Sequence, residues 1–118
     1  MVKILIADDD TVMLDLLTTL MELEGNEVVT VTRPEDIVPA AKTASPSLIL
    51  LDYHLAGGDA MTPLLELKQD EGLHTIPVLV TSGMDREIAC RNAGADGFML
   101  KPFRPAQLLD QIRDMMDT

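Results

Sequence analysis

The stretch from Ser47 to Leu55, Ser-Leu-Ile-Leu-Leu-Asp-Tyr-His-Leu, constrains this chain more than any other. Its four consecutive apolar residues, Leu48 to Leu51, suit a strand buried on both faces, as parallel sheets require, or else a short buried helical segment. Asp52 then falls where such a strand leaves the core. Ligands and chemistry collect at the carboxyl ends of strands in open parallel sheets, so a carboxylate there has a functional reading. Its plain alternative is an aspartate that opens a turn.

The rest of the chain repeats that pattern. Lys3 to Ala7 is an aliphatic run that ends in Asp8, Asp9 and Asp10. Met13, Leu16, Leu17, Leu20 and Met21 then recur at helical spacing, and Gly25-Asn26 stops the helix. Glu27 to Val31 is rich in β-branched residues and predicts a second strand. Thr32 and Glu35 have capping-box spacing, so a helix is expected from about Pro34 toward Lys42 with Ile37, Val38, Ala40 and Ala41 inward. Pro39 argues instead for a kink or a late start capped by Asp36. After the central strand, Tyr53 to Asp59 reads as a loop, and Met61, Leu64, Leu65 and Lys68 mark a third helix ended by Gly72. Ile76 to Thr81 predicts a fourth strand with Ser82-Gly83 at its end. A short helix from Asp85 to Ala93 follows, stopped by Gly94. Gly97 to Leu100 predicts a fifth strand running into Lys101-Pro102-Phe103. Pro105 opens a last helix whose apolar side is Leu108, Leu109, Ile112, Met115 and Met116.

Five strand-then-helix units in order predict an α/β fold, a doubly wound parallel sheet covered on both faces by five helices. At 118 residues the chain is read as one domain, 1–118. Right-handed crossovers put every strand's carboxyl end on one edge. That gathers Asp8, Asp9, Asp10, Asp52, Ser82 and Lys101 around one pocket.

Charge narrows the chemistry. Twenty acidic against nine basic residues give −11, which disfavours direct nucleic acid contact and anionic membranes. Cys90 is the only cysteine, and no signal peptide or membrane-length apolar run is read, so a cytoplasmic setting is expected. Two carboxylates about 4 Å apart repel by about 4 kcal/mol at an effective dielectric near 20. Either one keeps a proton or a cation neutralises the group. An all-oxygen donor set suits a hard ion such as Mg²⁺, whereas His54 and His74 lack the partners that a zinc site needs. Such a site can move a phosphoryl group, with Asp52 attacking phosphorus to form an aspartyl-phosphate. Mg²⁺, Ser82 and Lys101 would hold the phosphoryl oxygens.

Four pieces carry a family resemblance: Ile-Leu-Ile-Ala-Asp8-Asp9-Asp10, Leu-Ile-Leu-Leu-Asp52-Tyr-His-Leu, Ile-Pro-Val-Leu-Val-Thr-Ser82-Gly, and Gly94-Ala-Asp-Gly-Phe98-Met-Leu-Lys101-Pro102-Phe103. In that order and spacing the chain resembles the receiver domain of bacterial two-component response regulators over nearly its whole length. The resemblance implies a flavodoxin-like strand order, 2-1-3-4-5. It also implies that Asp52 accepts phosphate from a histidine kinase or phosphotransfer protein, while Asp8, Asp9, Asp52 and the backbone carbonyl of His54 hold Mg²⁺. Lys101 pairs with the phosphate, Ser82 and Phe98 form the switch, and the Lys101–Pro102 bond is expected cis. The signal would then pass through the face made by the fourth helix, fifth strand and fifth helix to a partner or output domain. The only catalysis implied is the domain's own phosphorylation and dephosphorylation, in a monomer or a weak phosphorylation-dependent dimer. Ala56 and Ala60 depart from a proline and a glycine common in the family. His54 and Met84 stand two residues beyond Asp52 and Ser82, where the family tunes phosphoryl lifetime.

Three rivals remain open to the sequence. Asp8-Asp9-Asp10-Thr11-Val12 also resembles the Asp-x-Asp-x-Thr/Val motif of haloacid-dehalogenase-type phosphatases, with Asp8 as nucleophile and Asp10 as acid. That reading leaves Asp52 idle and finds its remaining acids, Asp110, Asp114 and Asp117, on a terminal helix. A flavodoxin-like FMN binder would need phosphate beside three repelling aspartates. A non-phosphorylated docking receiver would be marked by a missing acceptor or lysine, and both are present.

Overall fold

A computed structural model describes residues 2–116; Asp117 lies outside them. Strands β1 (Lys3–Ala7), β2 (Glu27–Val31) and β3 (Leu48–Asp52) alternate with helices α1 (Thr11–Leu23) and α2 (Ile37–Ala44). A small hairpin, β4 (His54–Leu55) and β5 (Gly58–Asp59), precedes α3 (Met61–Gln69). The chain closes with β6 (Val78–Ser82), α4 (Glu87–Asn92), β7 (Gly97–Leu100) and α5 (Pro105–Met116).

The five long strands form one parallel sheet in the order β2-β1-β3-β6-β7. This is the expected 2-1-3-4-5 arrangement, and five α-helices cover it. Ile4, Ile6, Leu48, Leu50 and Leu79 face Leu14, Leu17 and Met21 of α1 and Leu108 and Ile112 of α5. Leu5, Ala7, Ile49, Leu51, Val78 and Val80 face α2, α3 and α4. Every residue of β3 and β6 is buried, because a central parallel strand has helices on both sides.

Several local expectations change. Leu16 and Leu65, which share the helical spacing read from the sequence, are 46% and 40% exposed, whereas Leu14 and Leu67 lie in the core. A four-residue spacing leaves the rotation of a short helix open by one position, and packing against the sheet decides it. Helix α2 does start late, after a 3₁₀ turn at Pro34–Asp36, but Asp36 makes no side-chain cap. Pro39 is the third residue of α2, where a backbone N–H would have no intrahelical partner, so it is tolerated. The fourth sheet strand begins at Val78, two residues later than expected: Pro77 has no N–H to give, and the Ile76 amide bonds Leu73 O.

The expected loop after Asp52 is a hairpin instead. It turns at Ala56-Gly57 with Gly57 at φ +90°, where a side chain is strained, and a Cβ there would also meet Arg33 Nη2 at 3.2 Å. Ala60 occupies its position without strain, at φ −83°, with its methyl buried. No helix among the described residues is long and apolar enough to cross a membrane.

Candidate phosphoacceptor site

Alternation along each strand assigns the site its residues. Asp52 continues the side of Leu48 and Leu50, and Thr81 continues the side of Leu79, so both belong to the α1/α5 face of the sheet. Asp8 follows β1 on that same side, and Lys101 follows Met99 two residues on. Ser82 and Phe98 continue the side of Val78 and Val80 and belong to the opposite face.

Asp8, Asp9 and Asp52 each offer a carboxylate oxygen within 4.8 Å of the other two. Asp8 and Asp52 are buried and Asp9 is exposed. Lys101 Nζ reaches between the buried pair, 3.2 Å from Asp52 Oδ1 and 3.8 Å from Asp8 Oδ2. Burial pushes the Asp8 carboxyl up from 3.8 to about 6. The Asp10 amide, which donates to Asp8 Oδ1 at 2.9 Å, pulls the other way, Asp52 adds to the rise, and Lys101 opposes it. One lysine therefore leaves the crowded acids short of positive charge. Three hard oxygen donors with a charge deficit fit a divalent ion such as Mg²⁺.

Not every expected member joins this cluster. Asp10 turns away and caps α1, its Oδ1 accepting from the Val12 and Met13 amides at 3.0 and 3.2 Å. Ser82 is fully buried at the same sheet edge, but its Oγ accepts from the Met84 amide at 3.1 Å. The hydroxyl that meets Asp52 is that of Thr81, with Oγ1 3.5 Å from Asp52 Oδ1. Thr81 was not singled out from the sequence, because its place beside Asp52 depends on the register of β3 and β6, which the structure fixes. Phe98 is half-buried against the α2/α3/α4 core. The side chain of His54 is exposed, edge-on to Tyr53. The Lys101–Pro102 peptide bond is cis.

A doubly wound sheet with this acid pocket and lysine at its carboxyl edge defines a receiver-type domain. The chain belongs to the response regulator receiver domain family, whose model matches residues 4–113. Among curated proteins it is similar to the alkaline phosphatase synthesis transcriptional regulatory protein PhoP of Bacillus subtilis, 30% identical over 117 residues, covering 97% of this chain and 48% of PhoP. The chain spans about half the length of PhoP and of the mycobacterial MtrA regulators it also matches. Among solved structures it is similar to a putative response regulator of Chloroflexus aurantiacus, with a TM-score of 0.91 at 27% identity over 99% of this chain and 98% of that one. The receiver domain of the sensor histidine kinase PA1611 of Pseudomonas aeruginosa, crystallised with magnesium in its active-site cleft, shares the fold (TM-score 0.89, 21% identity, 99% and 98% covered).

Membership of this family sets the phosphatase reading aside. Asp10, its proposed acid, is engaged as a helix cap, and Asp110 lies on α5.

Proposed function

We propose that Asp52 accepts a phosphoryl group from a histidine kinase or phosphotransfer protein and that the domain passes the change to a partner or output domain. The observation that carries this reading is the shared pocket of Asp52, Asp8 and Asp9 with Lys101 Nζ 3.2 Å from Asp52. A carboxylate oxygen of Asp52 attacks the phosphorus of a phosphohistidine. The new P–O bond forms as the P–N bond breaks, and its electron pair returns to the imidazole. Lys101 stands where negative charge on the transferred group needs a partner. Asp8, Asp9, Asp52 and the His54 backbone carbonyl would hold Mg²⁺, the ion seen in the PA1611 receiver, and bound there it neutralises charge on the phosphoryl oxygens.

The response follows from the sheet's two faces. Phosphate on Asp52 draws the Ser82 hydroxyl across, breaking its bond from the Met84 amide. Phe98, on the same side of the sheet as Ser82, turns into the space left behind. The face of α4, β7 and α5 changes as a result, and it already exposes Ile88 of α4 and Leu100 of β7. PhoP is named as a transcriptional regulator; in a protein of that kind an output domain, rather than this acidic one, would touch DNA.

Incubation with acetyl phosphate and Mg²⁺ followed by mass spectrometry tests the assignment. Label is expected on Asp52 in the parent, none in Asp52→Asn, and little in Asp8→Asn. Label on Asp8 with Asp52 untouched would overturn it.

A further inference from the structure

Thr81 lies directly across from Asp52 in the parallel register of β3 and β6. It is 3% exposed, and its Oγ1 stands 3.5 Å from Asp52 Oδ1, at the long end of hydrogen-bond range. Lys101 Nζ approaches the same oxygen. A valine would fill this strand position equally well and would bring no polar atom into the sheet. A buried hydroxyl needs a partner, and here the partner is the acceptor itself.

We propose that Thr81 is a positioning residue that shortens the lifetime of the phosphorylated state by donating its hydroxyl hydrogen to the Asp52 carboxylate. The proposal rests on Asp52 being the acceptor. A hydrogen bond to a full anion is about twice as strong as one between neutral groups, so the donor favours free carboxylate over the acyl group it becomes when phosphorylated. In hydrolysis a water oxygen bonds to phosphorus and the P–O bond to Asp52 breaks. The bonding pair returns to the carboxylate, and the water's proton leaves with the phosphate and solvent. Negative charge grows on Asp52 along this path, and the Thr81 hydrogen bond strengthens with it. In the transfer to Asp52 the same charge drains away and the bond weakens.

Thr81 and Ser82 thus divide two hydroxyl roles between neighbouring positions on opposite faces of β6. Thr81 touches the acceptor in the resting state, whereas Ser82 is bonded to Met84 and must move to reach the site.

The test loads the parent, Thr81→Val and Thr81→Ser with acetyl phosphate and Mg²⁺, removes the donor, and follows loss of phosphate by intact mass. Thr81→Val is expected to dephosphorylate about threefold to tenfold more slowly and to reach a higher phosphorylated fraction. Thr81→Ser keeps the hydroxyl and should stay near the parent, a rescue that a packing role for the methyl group would not give. If Thr81→Val does not fold, Thr81→Cys supplies the same comparison with a weaker donor. An unchanged or faster rate in the variant lacking the hydroxyl, or Thr81→Ser behaving like it, would overturn the proposal while leaving Asp52 as acceptor. A parent that takes no label on Asp52 overturns both.

Discussion

Replacing Asp8 with asparagine should stabilise this domain in the absence of metal, although it damages the site. Asp8 is buried with its carboxyl raised from 3.8 to about 6. Ionising it in the folded state therefore costs about 3 kcal/mol more than in the unfolded chain, at 1.36 kcal/mol per pH unit. A folded-state value above the unfolded one means that the native domain holds the extra proton. The contribution of this carboxyl to stability is then fully present below about pH 4, is lost as the pH rises to about 6, and is level above that. Asparagine keeps an oxygen for the Asp10 amide, which now donates to Asp8 Oδ1 at 2.9 Å, and carries no charge. Urea unfolding without metal should thus show Asp8→Asn more stable by up to about 3 kcal/mol at pH 7.5, a gain of about 10 °C in melting temperature for a domain of this size. At pH 4 the gain should shrink toward zero. Magnesium should narrow the gap without reversing it: at ten times its dissociation constant, binding would add about 1.4 kcal/mol to the parent and much less to the variant. A variant no more stable than the parent at pH 7.5, or a gain equal at both pH values, would show that the buried Asp8 charge does not destabilise the fold.

Met84 is exposed two residues past Ser82 and cannot orient a water, so Met84→Glu should lose phosphate faster than the parent; a rate unchanged or slower by intact mass would remove the idea. Asp10→Ala strips the cap from the Val12 and Met13 amides and should cost about 1 kcal/mol in urea unfolding. It should still take label on Asp52, whereas the phosphatase reading requires its loss. Gly94 stands at φ +106°, and a Cβ there would sit 2.7 Å from Lys68 Cγ, so Gly94→Ala should lower stability by about 1–3 kcal/mol. Lys68 must then shift from carbonyls it bonds at Ile76 and His74, and slower amide exchange around Ile76 in the variant would contradict this.

Strand interiors and glycine stops were legible because they are local. β1, β2 and β7 run between the residues their composition marks out, and Gly94 ends its helix by a backbone angle that other residues avoid. The gathering of Asp8, Asp9, Asp52 and Lys101 was legible too. They stand at three strand ends, those of β1, β3 and β7, which share one edge of a parallel sheet whatever the packing details. Helix rotation was not: Leu16 and Leu14 fit the same periodicity, and only contact with Ile4 and Leu48 separates them.

What the order of residues determined alone, then, is which groups come to the rim of the sheet. Which side of the sheet each one serves was settled by strand pairing and packing. Side chains alternate along a strand, so a residue's companions depend on the register it shares with its neighbour. That register pairs Thr81 with Asp52, and the alternation sends Ser82 to the other face beside Phe98.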